Sequence, residues 1–127
     1  MTGELILIVD DNEKNMKLAR DVLGFAGFRI LEAGNAEEAI ALAHEHMRDV
    51  ILMDIRLPGM DGTTAVGRLK GEARTAAIPV VALTSFAMKG DRERFLAAGF
   101  DGYLEKPIRV KEFPDEVRRY VEGRWQG

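Results

Sequence analysis

Leu5-Ile6-Leu7-Ile8-Val9 runs directly into Asp10-Asp11, and the arrangement returns as Val50-Ile51-Leu52-Met53 running into Asp54. An unbroken apolar run reads as a β-strand covered on both faces, because a strand with one wet face would alternate apolar and polar side chains. Two buried strands that both stop on carboxylates say more than either alone. They deliver acids to one place if the strands run the same way.

The pattern continues outward from those two runs. After Asn12, a candidate N-cap, Met16, Ala19, Leu23 and Ala26 recur at helical spacing until Gly27 supplies a stop. Residues 28–33 (Phe-Arg-Ile-Leu-Glu-Ala) are a strand of mixed polarity, which suits a sheet edge. Asn35 then caps a helix with the inner stripe Ala36, Ala39, Ile40, Ala43 and Met47. Following the Asp54 strand, Pro58, Gly59 and Gly62 force a loop, and Ala65, Val66 and Leu69 mark a short helix. Residues 79–83 are a fourth strand ending at Thr84-Ser85, and a helix is expected from about Met88 to Ala98, stopped by Gly99. Residues 101–104 form a short fifth strand ending near Lys106-Pro107, where a cis proline would fix the direction of the lysine. The last helix places Val110, Phe113, Val117 and Tyr120 on one stripe, with Pro114 tolerated in its first turn.

Strands alternating with helices predict an α/β domain, doubly wound, with a parallel sheet between two helical layers. A helical bundle fits poorly, because the apolar runs lack a 3.6-residue period. The length of 127 residues leaves room for one domain over 1–127, with no output domain expected beyond the last helix. With 46% apolar and 31% charged residues the composition is globular. The absence of cysteine removes thiol catalysis, cysteine-zinc sites and redox switching, and fits a cytoplasmic setting. No apolar run is long enough to span a bilayer, and no secretion leader is expected before Leu5. A net charge of −3 argues against a nucleic-acid face built on bulk charge.

In such a sheet every strand presents its carboxyl end along one edge, where ligands of open α/β sheets bind. That edge collects Asp10, Asp11, Asp54, Thr84 and Lys106. Taken singly, each has a bland reading: an aspartate after a strand forms turns, a threonine satisfies itself, a lysine is solvated. Together they are an anomaly. Three carboxylates in one pocket need a proton or a cation, and hard oxygen ligands without histidine or cysteine favour magnesium. A magnesium site beside a lysine and a hydroxyl suits phosphate, with a carboxylate as nucleophile, so the chemistry points to an aspartyl phosphate.

The stretches Ile8-Val9-Asp10-Asp11-Asn12, Leu52 through Gly62, Ala82-Leu83-Thr84-Ser85 and Tyr103-Leu104-Glu105-Lys106-Pro107-Ile108 resemble the receiver domains of two-component response regulators, the CheY-like superfamily, over essentially the whole chain. Asn15-Met16-Lys17-Leu18 and Phe86-Ala87-Met88-Lys89-Gly90-Asp91 look like single-domain cell-division regulators of that family. The resemblance implies a (βα)5 flavodoxin-like fold with strand order 2-1-3-4-5. It implies Asp54 as phosphoacceptor from the phosphohistidine of a sensor histidine kinase or histidine phosphotransfer protein. Asp11 would hold Mg2+ directly and Asp10 through water, with the Arg56 backbone carbonyl completing the protein ligands and Mn2+ able to substitute. Thr84 and Lys106 would bind the phosphoryl oxygens. Closure of the Thr84 loop would let Tyr103 rotate inward and remodel the face of helix four, strand five and helix five for a downstream protein effector.

Further expectations concern lifetime and partners. Arg56 and Phe86, each two residues past a site residue, would flank the path of attacking water and slow loss of the phosphoryl group. Partner kinases would dock on helix one near Asn15, Leu18 and Ala19, some of which must be core. No nucleic acid or membrane partner is expected, and the chain would be a monomer or weak dimer. His44 and His46 point to different helix faces and make a poor metal pair, so both read as solvated. The six methionines read as core filler, Trp125 as a tail residue, and Arg118, Arg119 and Arg124 as a solvated basic end. The rival chemistries are a haloacid-dehalogenase-type magnesium phosphatase, which wants a second aspartate two residues after the first and a cap domain, and a flavodoxin-like cofactor carrier, whose first loop would not be anionic. A receiver-like scaffold that works without phosphorylation is a further alternative, disfavoured by the intact acceptor set.

Overall fold

The computed structural model describes residues 4–45, 49–57, 59–84, 91–106 and 108–122. The expectations for His46, Met47, Pro58, Ser85, Phe86, Met88, Pro107, Arg124 and Trp125 lie outside them. Ten elements alternate in chain order: β1 (Leu5–Val9), α1 (Glu13–Phe25), β2 (Arg29–Ala33), α2 (Ala36–Glu45), β3 (Val50–Asp54), α3 (Gly62–Lys70), β4 (Val80–Thr84), α4 (Asp91–Ala98), β5 (Gly102–Glu105) and α5 (Phe113–Val121). The strands form one parallel sheet in the order β2-β1-β3-β4-β5.

The apolar runs are continuous because each strand feeds two cores. Successive side chains point to opposite faces. Leu7, Val9, Ile51, Met53, Val80 and Ala82 pack with α2, α3 and α4, while Ile6, Ile8, Val50, Leu52, Val81 and Leu83 pack with α1 and α5. β1, β3 and β4 lie inside the sheet and are buried almost throughout; β2, with Arg29 and Glu32 exposed, is an edge as its mixed polarity predicts.

Local chemistry sets where the helices begin and end. Asn12 Oδ1 accepts the Asn15 amide at 3.0 Å to cap α1, and Gly27 follows the helix at φ 103°. Asn35 Oδ1 accepts the Glu38 amide at 2.8 Å while Glu38 Oε1 accepts the Gly34 amide at 2.9 Å, a reciprocal cap for α2. Asp61 Oδ1 accepts the Thr64 amide at 2.9 Å and opens α3.

Several expectations shift. Val110 is not on the inner stripe of α5: it precedes the helix and is 58% exposed, because Pro114 sits at the helix start and residues 109–112 form the turn before it. Phe28 lies before β2, buried, and Ala26 is the half-buried C-cap of α1. His44 is not simply solvated, since its Nε2 lies 3.0 Å from a Glu72 carboxylate oxygen. Of the three residues singled out on α1, Ala19 is core, Leu18 is exposed and Asn15 half-buried.

A tie unforeseen in the sequence joins α3 to the amino ends of β4 and β5. The Lys70 ammonium donates to the carbonyls of Ala76 and Ile78 at 3.2 and 2.8 Å and to Asp101 Oδ2 at 2.8 Å. The same carboxylate oxygen accepts the Val80 amide at 2.8 Å.

Candidate functional site

Because all five strands run parallel, their carboxyl ends share an edge, and the acid-ended neighbours β1 and β3 sit side by side at its centre. Asp10 and Asp54 are buried there, at 4% and 8% exposure, while Asp11 is exposed. One oxygen from each of the three carboxylates lies within 4.8 Å of the others. Lys106, just past β5, reaches over β4 and donates to Asp10 Oδ2 at 2.9 Å and Asp54 Oδ2 at 3.0 Å. Its approach is fixed by its own backbone, whose amide donates to the Thr84 carbonyl at 2.7 Å.

The remaining carboxylate oxygens turn to the backbone. Asp10 Oδ1 accepts the Asn12 amide at 2.9 Å, and Asp54 Oδ1 accepts the Arg56 amide at 3.0 Å. Burial raises the Asp54 carboxyl above its ordinary value, with the Arg56 amide and Lys106 pulling the other way and Asp10 adding repulsion. For Lys106, burial favours the neutral amine, but the hydrogen bonds and charges of Asp10 and Asp54 prevail and hold its value above that of a free lysine. The ammonium is therefore firmly charged.

A cleft of about 350 Å³ opens over this cluster, lined by Asp11, Asn12, Asn15, Asp54, Ile55, Arg56, Thr84, Arg94, Phe95 and Lys106. Asp10, Asp11, Asp54, Thr84, Lys106 and Arg56 are thus all brought to one site. Tyr103 does not line the cleft. It is half-buried, its ring 5.9 Å from that of Phe95, which does. Asn12, Asn15, Ile55, Arg94 and Phe95 are the cleft residues the sequence reading left without a role there. Asn12 stood out only as a cap, and an arginine on a charged helix carries no local signal.

Gly62 sets how closely α3 approaches the end of β3. A Cβ at this position would stand 2.7 Å from the Asp54 carbonyl oxygen, and the Gly62 amide donates to the Ile55 carbonyl at 3.0 Å. α3 therefore starts in backbone contact with the segment that follows Asp54.

The carboxylate set suits a hard divalent cation. Its oxygens converge, no softer ligand is among them, and three acids against one lysine leave the cluster short of positive charge.

A parallel sheet of this order, with acids at the ends of its two central strands bridged by a lysine, defines a receiver-type α/β module. Residues 6–118 match the response regulator receiver domain, and the chain belongs to that family. It is 44% identical over 116 residues to the polar-differentiation response regulator DivK of Brucella anthropi, covering 91% of this chain and 94% of that one, and 43% identical with the same coverage to its counterpart in Brucella ovis. Among solved structures it resembles the receiver domain of a sensor histidine kinase from Pseudomonas aeruginosa, which has a magnesium ion coordinated in its active-site cleft (TM-score 0.87, 34% identity, 95% of this chain and 99% of that one). It also resembles the chemotaxis response regulator CheY4 of Vibrio cholerae (TM-score 0.87, 26% identity, 94% and 99%). The chain is a DivK-like receiver domain of the two-component class. No helix among the described residues is long and apolar enough to cross a membrane.

Proposed function

We propose that this chain is a single receiver domain, residues 1–127, that takes a phosphoryl group onto Asp54 and signals through protein contacts. The observation that carries the proposal is the convergence of the Asp10, Asp11 and Asp54 carboxylates under a lysine bonded to two of them. A carboxylate nucleophile needs no base. An Asp54 oxygen attacks the phosphorus of a phosphohistidine, the phosphorus–nitrogen bond breaks, and its electron pair leaves with the imidazole.

Asp10, Asp11, Asp54 and the Arg56 carbonyl would hold Mg2+, with Mn2+ as substitute. When bound, the ion supplies charge neutralisation to the transferring phosphoryl group. The chain's own residues do the rest. Lys106, kept charged by its two acids, meets the phosphoryl oxygens from a direction set by the amide bond to Thr84, and the Thr84 hydroxyl meets them from the end of β4. Arg56, exposed at the cleft, slows attacking water, an effect read in the decay of the adduct.

The donor is a sensor histidine kinase or histidine phosphotransfer protein docking on α1, where Leu18 is exposed and Asn15 reaches the cleft. The output is a protein effector on the α4-β5-α5 face, switched through Thr84 and Tyr103, in the cytoplasm and without nucleic acid.

Incubation with Mg2+ and acetyl phosphate, followed by intact mass, tests the assignment. A phosphoryl adduct is expected on the parent and absent from Asp54→Asn. Equal labelling of both would falsify it, and true turnover of added phosphate esters would replace it with a phosphatase activity.

A further inference from the structure

We propose that Arg94, on α4, is the recognition residue for the anionic end of the phosphoryl donor, holding a small acyl phosphate at the cleft before transfer. The inference rests on the reading of Asp54 as acceptor, and it concerns a residue on a different element from all the acceptor machinery.

The argument begins with charge. Asp10, Asp11 and Asp54 face an incoming dianion, and Lys106 is already bonded to two of them. A bound divalent cation brings this group only to neutrality, leaving no surplus positive charge to draw in a phosphate. Among the described residues lining the cleft, the other cations are Arg56 and Arg94. Arg56 follows the acceptor by two residues on the same loop, so its position is tied to that of Asp54 through the main chain. Arg94 enters from α4.

Geometry makes Arg94 suitable. Its guanidinium carbon lies 5.3 Å from the centroid of the Phe95 ring, an interaction that restrains an otherwise long and mobile side chain. The platform itself is firm: Phe95 is 2% exposed and packs edge-on against Phe100 at 6.2 Å and tilted against Tyr103 at 5.9 Å. A guanidinium presents a planar fork that matches two phosphate oxygens at once, which an ammonium cannot. Located at an open cleft rather than beneath it, Arg94 acts on capture and not on the bond change. In that change an Asp54 oxygen bonds to phosphorus while the phosphorus–oxygen bond to acetate breaks and acetate leaves with the electron pair. Carboxylate replaces carboxylate, so no proton moves.

The test is a time course of intact mass at graded acetyl phosphate concentrations with Mg2+, for the parent, Arg94→Met, Arg94→Lys and the exposed-charge control Arg119→Met. Removing a rim charge of this kind should lower the second-order rate constant about tenfold through a higher half-saturating concentration, with the limiting rate kept. Arg94→Lys should recover part of the loss, the salt dependence of labelling should weaken in Arg94→Met, and Arg119→Met should behave as the parent. A second readout uses no transfer: amide NMR shifts on titration with acetonylphosphonate, a non-transferable analogue, should show weaker binding to Arg94→Met. Parental concentration dependence in Arg94→Met, or a lower limiting rate at unchanged half-saturation, overturns the proposal. If the parent takes no label, the Asp54 reading falls, and the phosphonate titration still decides the role of Arg94.

Discussion

Lys70 and Lys106 lie at opposite ends of the parallel strands and solve different problems. Lys70 spends its three ammonium hydrogens on two carbonyls and one carboxylate, and among the described residues its charge is matched by Asp101. Lys106 meets two carboxylates, with a third beside them, and among the described residues its ammonium has two acceptors. The first arrangement is closed and neutral. The second is anionic and keeps a donor in reserve at the edge of a cleft, which is what a site awaiting a cation and an anion requires. A partly buried lysine in an ion pair therefore says little about function until its charge balance is drawn up.

The largest expected effect would break that contrast at the site. Lys106→Met should slow phosphorylation by acetyl phosphate by about 100-fold, the scale for losing one preorganised donor to a transferring group, measured by the same mass time course. A rate within about twofold of the parent would put Lys106 on the structural side with Lys70.

Lys70→Met should do the reverse. It leaves Asp101 with the Val80 amide but no cation and takes the donor from two carbonyls, so urea unfolding should report a loss of about 2–3 kcal/mol, between an exposed and a fully buried pair, while labelling kinetics stay parental. A variant as stable as the parent would mean that Lys70 is replaceable and the contrast only apparent.

The smallest effect extends the comparison to carboxylates. Asp61 lies in the same loop region as the site but caps α3, and the Thr64 amide, then the Thr63 hydroxyl, hold its carboxyl below the ordinary value. For an acid with a lowered folded value, the stabilisation is present above the unfolded value near 3.8 and is lost as pH falls through the folded one. Asp61→Ala should thus cost about 1 kcal/mol at neutral pH and converge on the parent in acid, followed by urea midpoints across pH.

The central strands and the site floor were legible in the sequence for one reason. Burial on both faces forbids polar side chains until the strand ends, so Asp10, Asp54 and Thr84 are conspicuous where the apolar runs stop. Topology then does what sequence distance hides. Legibility fails where the cause is tertiary: Val110 shares helical spacing with Phe113 and Val117, yet the helix starts after it. It fails again at Lys70 and Arg94. Each is a charged residue on a helix with no local mark of its partner, and Lys70 finds its carboxylate thirty-one residues away.

Gly62 carries a consequence for how such a chain can vary. Its contact with the Asp54 carbonyl oxygen is made by backbone, so it constrains the proposed acceptor without sharing in any of its chemistry. A side chain there would displace the peptide after Asp54 and thereby the Arg56 amide that fixes the carboxylate. Tolerance to mutation along this loop should therefore follow clearance from the main chain rather than nearness to the reacting oxygen, leaving a silent position as restricted as a reactive one.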